Sequence, residues 1–468
     1  MVESREPVSS VGFVDQYCQS YRNLFPDVRN FEAFKFLHLG IISEVKRKSL
    51  PEIARAVGLK DGQSLHNFLR DSPWDAHALR EMRLWLIKVS VGDKPLILCI
   101  DETGDKKKGT ATDYVAKQYI GNLGKTANGI VSVNAYAIVD DITIPLMFKF
   151  FKPRTRLKEG DVYKTKPQLA VEILREIKEW GFNVKLVLAD SLYGESGDVI
   201  GVLSQLKLHF IVAIRSNHPV WLLPGQRVRY NRWRAYEQAL SHRQSEPRFI
   251  REIIFGQRCT IRYYQISKNS DANPEPDNTW FIMTNLPGKI QLEVAQLYSL
   301  RNWIEYGFKQ IKNELGWADF RLTDYQSVER WWEIVSSAYL LVSLHANQFK
   351  LDAANSNSTS YSSTASVSFP QVFTKHQWWE TGTTWKSALN NLRLIIQPYI
   401  FYCLIRPWLK IFKIPAFQRG FLRLVDIMNS FRFFPISLVA TGTASEIQSL
   451  ACLRAGTFSP ATRDQIYS

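Results

Sequence analysis

The order of apolar segments between residues 92 and 215 is the feature that most constrains the fold of this 468-residue chain. Short apolar runs bounded by Pro, Gly or polar residues predict β-strands, and a longer run with helical periodicity predicts a helix. The predicted order is three strands, a helix and two more strands, at 96–101, 130–139, 144–151, 166–180 (the helix), 184–190 and 210–215. This order indicates an α/β fold built on a mixed sheet.

Two of the predicted strands end in an aspartate. Asp101 ends the first strand and Asp190 ends the fourth. Side chains at strand ends of an α/β sheet are exposed to ligands, so the two aspartates can converge on one pair of divalent cations. Taken alone, either aspartate is more often a turn cap. Glu102 and Asp105 compete with Asp101, but Asp101 lies directly at the predicted strand end.

A third acid lies in a segment where four residues recur at helical spacing: Tyr298, Arg301, Glu305 and Lys312. On a helix these side chains fall within about 60° of one another, beside a separate apolar stripe. A carboxylate between an arginine and a lysine, with a phenol one turn away, suits a metal ion next to a phosphodiester. Taken alone, this segment is more often an ordinary amphipathic helix with solvated ion pairs. The two aspartates favour the metal site.

Together the three segments resemble the DDE transposases of bacterial insertion sequences, specifically the cut-and-paste group with the YREK signature, often called insertion-sequence-four-like. All four signature positions match. The DSLYG run at 190–194 resembles the second-aspartate motif, and the DETG run at 101–104 with 118–125 is similar to the first-aspartate block. The resemblance covers residues 35–350 and implies an RNase H-like catalytic core.

The resemblance also implies a cofactor and a reaction. Oxygen ligands suit hard cations, and no His/Cys cluster favours zinc. Three carboxylates would hold two Mg²⁺ ions, or Mn²⁺ in their place: Asp101, Asp190 and Glu305. Three signature residues would contact DNA phosphates near the cut: Tyr298, Arg301 and Lys312. The protein would cleave transposon ends and join the 3′ ends to target DNA, acting as a homodimer.

The composition favours a nucleic-acid partner. A formal net charge of +15 and a pI near 9.4 indicate attraction to a polyanion, with double-stranded DNA as the leading candidate. Residues 217–286 are predicted to form a β-rich insertion dense in arginine and aromatic residues. Three of them are predicted to contact DNA through charge and stacking: Arg229, Arg232 and Trp233.

The predicted catalytic domain, 91–350, is flanked by helical regions. Residues 1–90 are predicted to be a helical DNA-binding region, 353–370 a Ser-rich linker and 371–468 a C-terminal helical region. The apolar stretch 392–412 is interrupted by prolines and charges, which argues against a membrane span.

Two short helices at 49–57 and 62–69, separated by Gly58, are typical of a helix-turn-helix, and a capping-box sequence opens the first. Plain helical packing explains the pattern as well. Six residues are candidates for exposed DNA contacts here: Lys46, Lys48, Lys60, His66, Asn67 and Arg70.

The five cysteines are scattered and form no C-x-x-C pair, which indicates neither a disulfide framework nor a zinc site. Together with a polar N-terminus unlike a signal peptide, this predicts a bacterial cytoplasmic, nucleoid-associated protein. Two other functions stay open: a metal-dependent nuclease that cuts without joining, and a non-catalytic DNA-binding protein descended from a transposase. The three acids argue against the second, because a purely binding protein has no need of metal-attracting carboxylates.

Overall fold

The computed structural model describes most of the chain, namely residues 5–239, 245–256, 260–271, 273–288, 291–356 and 372–431. Most of the predicted linker and the part of the predicted C-terminal region beyond residue 431 lie outside the described residues.

Five helices form the N-terminal part of the protein: α1 (Gly12–Gln19), α2 (Val28–Ile42), α3 (Leu50–Ala56), α4 (Gln63–Arg70) and α5 (Ala76–Val91). Gly58 follows the end of α3 with a φ of +77°, the left-handed conformation that glycine adopts readily after a helix. The predicted capping box is wrong, because the Ser49 side chain makes no cap hydrogen bond.

Lys48 is not an exposed DNA contact, contrary to the sequence-based expectation. Its side chain is buried, and its ammonium group donates to the carbonyl oxygen of Ser43 at 2.5 Å. Lys46, Lys60, Asn67 and Arg70 are exposed. The surface of the α3–α4 pair carries these basic residues beside the exposed acids Glu52, Asp61 and Asp71.

One mixed sheet joins eleven strands within the described ranges. The strands are β1 (Leu96–Lys106), β2 (Ala116–Ile120), β3 (Lys125–Val139), β4 (Ile142–Phe150), β5 (Val184–Ala189), β6 (Phe210–Ile214), β7 (Val228–Tyr230), β8 (Arg234–Ala239), β9 (Ser245–Phe255), β10 (Arg262–Ser267) and β11 (Thr279–Thr284). Between β4 and β6 the chain forms the helices α6 (Lys166–Glu179), α7 (Ser191–Gly194) and α8 (Gly197–Gln205).

The centre of this sheet is an RNase H-like core. β3 is antiparallel to both β1 and β4, whereas β1, β5 and β6 are parallel. The apolar residues of β3, β4 and β5 are almost all buried, as expected for a sheet covered on both faces. The mixed α/β fold with flanking helices is confirmed.

Two details of the core differ from the sequence-based prediction. β2 was not predicted, because its Lys117 and Gln118 interrupt the apolar pattern, and Asp190 therefore follows the fifth strand instead of the fourth. Asp101 lies in the middle of β1 and not at its end. The polar continuation of β1 stays in the sheet because β3 pairs with it as far as Lys106, opposite Gly129.

The strands of the β-rich insertion extend the core sheet. β11 pairs antiparallel with β6, and β10, β9 and then β7 follow in order across the sheet. β8 pairs with β9 beside this path. The insertion is therefore joined to the core by backbone hydrogen bonds as well as by the chain connections.

The remaining helices lie after the sheet: α9 (Gln291–Ser299), α10 (Asn302–Lys309), α11 (Tyr325–Ser356), α12 (Trp385–Ile411) and α13 (Pro415–Met428). A π-helical turn, Gln310–Glu314, follows α10. Helix α11 contacts the N-terminal helices, β4 and α12, so it links the flanking regions to the core. No helix in the described parts of the chain is long and apolar enough to cross a membrane.

A buried ion cluster fastens α5 to α11. Both carboxylate oxygens of Glu333 are bonded, one by Arg80 at 2.5 Å and the other by Arg83 at 3.0 Å, and the side chains of Arg83 and Glu333 have no exposed surface. Arg83 also donates to the carbonyl oxygen of Pro145 in β4 at 2.6 Å. Removing one partner from such a cluster leaves an uncompensated buried charge.

We predict that Glu333→Gln lowers the free energy of unfolding by about 3–5 kcal/mol, because both arginines lose their buried counter-ion. Chemical denaturation measures this loss. Glu329→Gln, which removes a partly exposed partner of Arg80, is the matched control and should cost less than about 1 kcal/mol. Equal losses in the two variants would contradict the prediction.

Candidate active site

The two aspartates lie where two parallel strands stop pairing. β5 pairs with β1 as far as Ala189, which lies opposite Ile100. The next residue after Ile100 is Asp101, where β1 continues, and the next residue after Ala189 is Asp190, where β5 has ended. Both carboxylates therefore lie at the end of the paired region. The predicted convergence of these two aspartates is therefore a consequence of the strand register.

A third carboxylate joins them. Asp101, Glu102 and Asp190 can each offer an oxygen atom within 4.8 Å of the others. Glu102, considered from the sequence as a competitor of Asp101, lies beside it in this cluster. Asp190 also caps α7, since its carboxylate accepts a hydrogen bond from the backbone N–H of Leu192 at 2.9 Å.

Two residues that the sequence-based analysis did not assign to the site hold Glu102. Lys166 donates to one carboxylate oxygen at 3.0 Å, and the buried Tyr193 donates to the other at 3.1 Å. Tyr193 lies in the second-aspartate motif, which could have suggested it. Lys166 begins α6, and nothing in the local sequence connects it to Glu102.

Burial and crowding raise the pKa values of the aspartates. Burial raises the pKa of Asp101 to about 7; Arg301 opposes this shift, and Asp190 and Glu102 add to it. Burial and the nearby Glu102 also raise the pKa of Asp190. Carboxylates brought together in this way fit a divalent cation, and a cluster made of carboxylate oxygens fits Mg²⁺ or Mn²⁺ better than zinc.

Glu305 is not part of this carboxylate cluster, and Arg301 lies between it and Asp101. Its guanidinium donates to Asp101 at 3.0 Å and to Glu305 at 3.4 Å. The Glu305 side chain is 51% exposed and lies on the solvent side of Arg301. Burial disfavours the charged guanidinium, but Tyr298 and the surrounding carboxylates outweigh it and raise the pKa of Arg301 above its ordinary value.

The segment that carries Glu305 is not one regular helix. Helix α9 ends at Ser299, and Arg301 lies in a turn where its N–H bonds to the carbonyl oxygen of Tyr298, three residues before it. Helix α10 begins at Asn302, and the helix widens into the π-helical turn that contains Lys312. Simple helical spacing therefore does not describe the four signature residues, because the turn and the π-helix change their angular positions.

The apolar stripe of this segment packs inward as predicted. Ile304, Phe308, Ile311 and Leu315 are buried, and Leu297 and Leu300 pack against the core. Lys312 lies on the other side of the segment, where its ammonium group bonds to Asp105 at 2.8 Å and to the carbonyl oxygen of Gly104 at 2.8 Å. Tyr298 is partly buried, and burial raises its pKa.

Rings and arginines interleave on the insertion. The guanidinium of Arg251 lies 4.4 Å from the ring centre of Tyr230 and 4.2 Å from that of Trp233. The indole N–H of Trp233 donates to the carbonyl oxygen of Asp271 at 3.0 Å. Arg229 and Arg232 are exposed. Arg229 and Tyr230 lie on β7, and Arg232 and Trp233 follow it directly, on the far side of the extended sheet from β1.

We predict that, in metal-free protein, Asp101 makes stability depend on pH. The pKa of Asp101 is about 7 in the folded protein and about 3.9 in an unfolded chain, so between these values the folded state binds more protons. The free energy of unfolding should therefore fall as pH rises from about 4 to about 7 and be unaffected by this group above that. Asp101→Asn should be more stable than wild type at pH 8, by on the order of 2 kcal/mol, but not at pH 4.

Thermal melts in chelator from pH 4 to pH 8 measure this difference. Addition of Mn²⁺ should reduce it, because a cation stabilises the ionised aspartate. Parallel melting curves for the two proteins across the whole range would count against a raised pKa for Asp101.

Comparison with known proteins shows the family of this chain. Residues 23–266, slightly more than half of the chain, match the family model described as "DDE superfamily endonuclease". Over 331 residues the chain is 55% identical to a protein of Microchaete diplosiphon described as a "Probable transposase for insertion sequence element IS701"; the alignment covers 70% of this chain and 87% of that relative. Such a family implies DNA binding and the use of a divalent metal. This chain belongs to the DDE endonuclease family of insertion-sequence transposases.

Proposed function

We propose that this protein is a cut-and-paste transposase that cleaves DNA at transposon ends and joins the freed 3′ ends to target DNA. The main support is the pair of aspartates, Asp101 and Asp190, at the point where β1 and β5 part, in a chain of a transposase family. The link from Asp101 through Arg301 to Glu305 adds the third acid of the predicted set.

We assign Asp101, Asp190 and Glu305 as the ligands of two Mg²⁺ ions, with Mn²⁺ as an alternative. The cations, when bound, supply the positive charge that a phosphodiester requires as it is attacked. Glu102 supports the site from the side, because its own oxygens are held by Lys166 and Tyr193.

Basic side chains of the protein bond to the carboxylates and contact DNA. Arg301 favours the ionised form of Asp101 and also bonds to Glu305, and with Tyr298 it borders the DNA near the cut. On the insertion, Arg229 and Arg232 contact phosphates and Trp233 stacks on a base. The phosphate contact predicted for Lys312 competes with its bonds to Asp105 and Gly104.

The wider organisation follows from this assignment. Residues 1–90 bind DNA, 91–350 form the catalytic domain with the insertion at 217–286, 353–370 are a linker and 371–468 are a helical region. The active complex contains two copies of the chain on double-stranded DNA, at the nucleoid in the bacterial cytoplasm.

We predict that Asp101→Asn, Asp190→Asn and Glu305→Gln each abolish cleavage of transposon-end DNA in Mg²⁺ or Mn²⁺ while end binding survives. Each substitution keeps the shape of the side chain and removes a charged metal ligand. Gel assays of cleavage, strand transfer and end binding measure the outcome, and Glu293→Gln, an exposed glutamate of α9, is the matched control.

The same assays separate the alternatives. Cleavage by the wild-type protein without joining of 3′ ends would indicate a nuclease, and end binding without cleavage would indicate a binding protein. Full cleavage by one of the three variants would remove that residue from the site.

We predict that the affinity for end DNA falls steeply as the salt concentration rises. In the double variant Arg229→Ala with Arg232→Ala, the slope of log K against log salt should be shallower by about 2, because each phosphate contact contributes about 0.9. Titrations at several salt concentrations measure the slope. Arg175→Ala, an exposed arginine of α6, should leave it unchanged. An unchanged slope in the double variant would exclude the insertion as a phosphate contact.

A further inference from the structure

β1 is held on only one edge where it carries the catalytic aspartate. From Asp101 to Lys106 it pairs with β3, but β5 has already ended opposite Ile100. A strand held on one edge is free to twist away unless another element fixes it. The segment from Arg301 to the π-helical turn contacts this part of β1 at Asp101, Gly104 and Asp105, in addition to the bonds that Lys166 and Tyr193 make to Glu102.

Two acidic residues of β1 form ion pairs with two basic residues of that segment. Asp101 and Asp105 are four residues apart on the strand and therefore point to the same face. Arg301 bonds to Asp101 at 3.0 Å, and Lys312 bonds to Asp105 at 2.8 Å. Glu305 lies between the two cations in the sequence, so the segment that carries it is attached to β1 on both sides.

The two ion pairs together fix the position of the segment along β1. Arg301 and Lys312 lie on one segment, and Asp101 and Asp105 lie on one strand, so sliding the segment along the strand would break both ion pairs. The two pairs therefore set where Glu305 stands relative to Asp101.

Lys312 is placed to hold β1 more than to contact DNA. Its side chain is 13% exposed, and that of Asp105 is 5% exposed. Two of its three N–H donors are used by Asp105 and by the carbonyl oxygen of Gly104. The second oxygen of Asp105 is buried without a hydrogen bond, so Lys312 supplies the main compensation for this carboxylate. Lys309, on the same segment, is exposed.

We propose that Lys312 acts in DNA cleavage as a positioning residue: its bonds to Asp105 and Gly104 fix β1 against the segment that carries Glu305, and phosphate contact is not its main task. The role rests on the proposed transposase function. It differs from the role that the signature suggests, and it assigns a function to Asp105, which the metal site does not use.

The test compares Lys312→Met with Asp105→Asn, and Lys309→Met is the matched control for loss of a lysine. If Lys312 acts through Asp105, both variants should slow single-turnover cleavage at saturating DNA by about 10–100-fold, because a small displacement of catalytic groups has effects of this size. End affinity and its salt slope should stay unchanged in both, and Lys312→Arg should restore part of the rate.

Mn²⁺ binding to DNA-free protein provides a readout that does not depend on cleavage. The affinity should fall by a similar factor in Lys312→Met and Asp105→Asn, because both release Glu305 from its position relative to Asp101. If the wild-type protein binds Mn²⁺ but cleaves no end DNA, the proposed transposase function fails and this measurement still decides the role of Lys312.

Two results would overturn the proposal. In the first, the salt slope of DNA binding is shallower by about 1 in Lys312→Met, while Asp105→Asn binds Mn²⁺ and cleaves normally. That pattern indicates a phosphate contact by Lys312. The other concerns the double variant Asp105→Asn with Lys312→Met, which leaves no buried charge uncompensated and should fold even if a single variant does not. A wild-type cleavage rate in that double variant would show that the ion pair has no positioning role.

Discussion

The parallel pairing of β1 and β5 ends one residue before Asp101 and one residue before Asp190, and the candidate site depends on that end point. If β5 were longer, a further strand residue would take the place of Asp190 beside Asp101. Because β5 stops, the chain turns into α7, the carboxylate of Asp190 caps that helix, and one edge of β1 is left open to the segment that carries Glu305. The backbone thus sets the carboxylate spacing before any side-chain interaction does.

The site gathers negative charge that the fold must tolerate. Burial disfavours the charged carboxylates and neighbouring carboxylates repel them, and the raised pKa values of Asp101 and Asp190 express that cost. Arg301 relieves part of it from within the site. The Glu333 cluster lies elsewhere, between α5, α11 and β4, and stiffens the helical layer behind the sheet. Crowded, partly buried carboxylates on a firmly joined scaffold are the arrangement expected of an active site.

The sequence predicted what local patterns encode. The apolar runs of β3, β5 and β6 located the core, and the turn after Ala189 located Asp190 correctly. The prediction failed where pairing with a distant strand decides the structure. The polar half of β1 is a strand because β3 pairs with it. β2, which contains Lys117 and Gln118, can be recognised as a strand only from its pairing with β3. Periodicity also could not reveal that Lys312 would meet Asp105, more than two hundred residues earlier, because helical spacing gives a face but not what lies against it.

The pairing of β11 with β6 has a consequence for how the protein handles its substrate. Four residue pairs, from Phe281 opposite Ile214 to Thr284 opposite Ile211, continue the core sheet into the insertion. Swinging the insertion as a hinged arm would require these backbone hydrogen bonds to break, which is costly for buried strands. The insertion and the core strands therefore move as one unit. In a duplex bound to both, the width of the sheet, five strands from β6 to β7, would set the distance along the DNA between the contact with the insertion and the cleavage point.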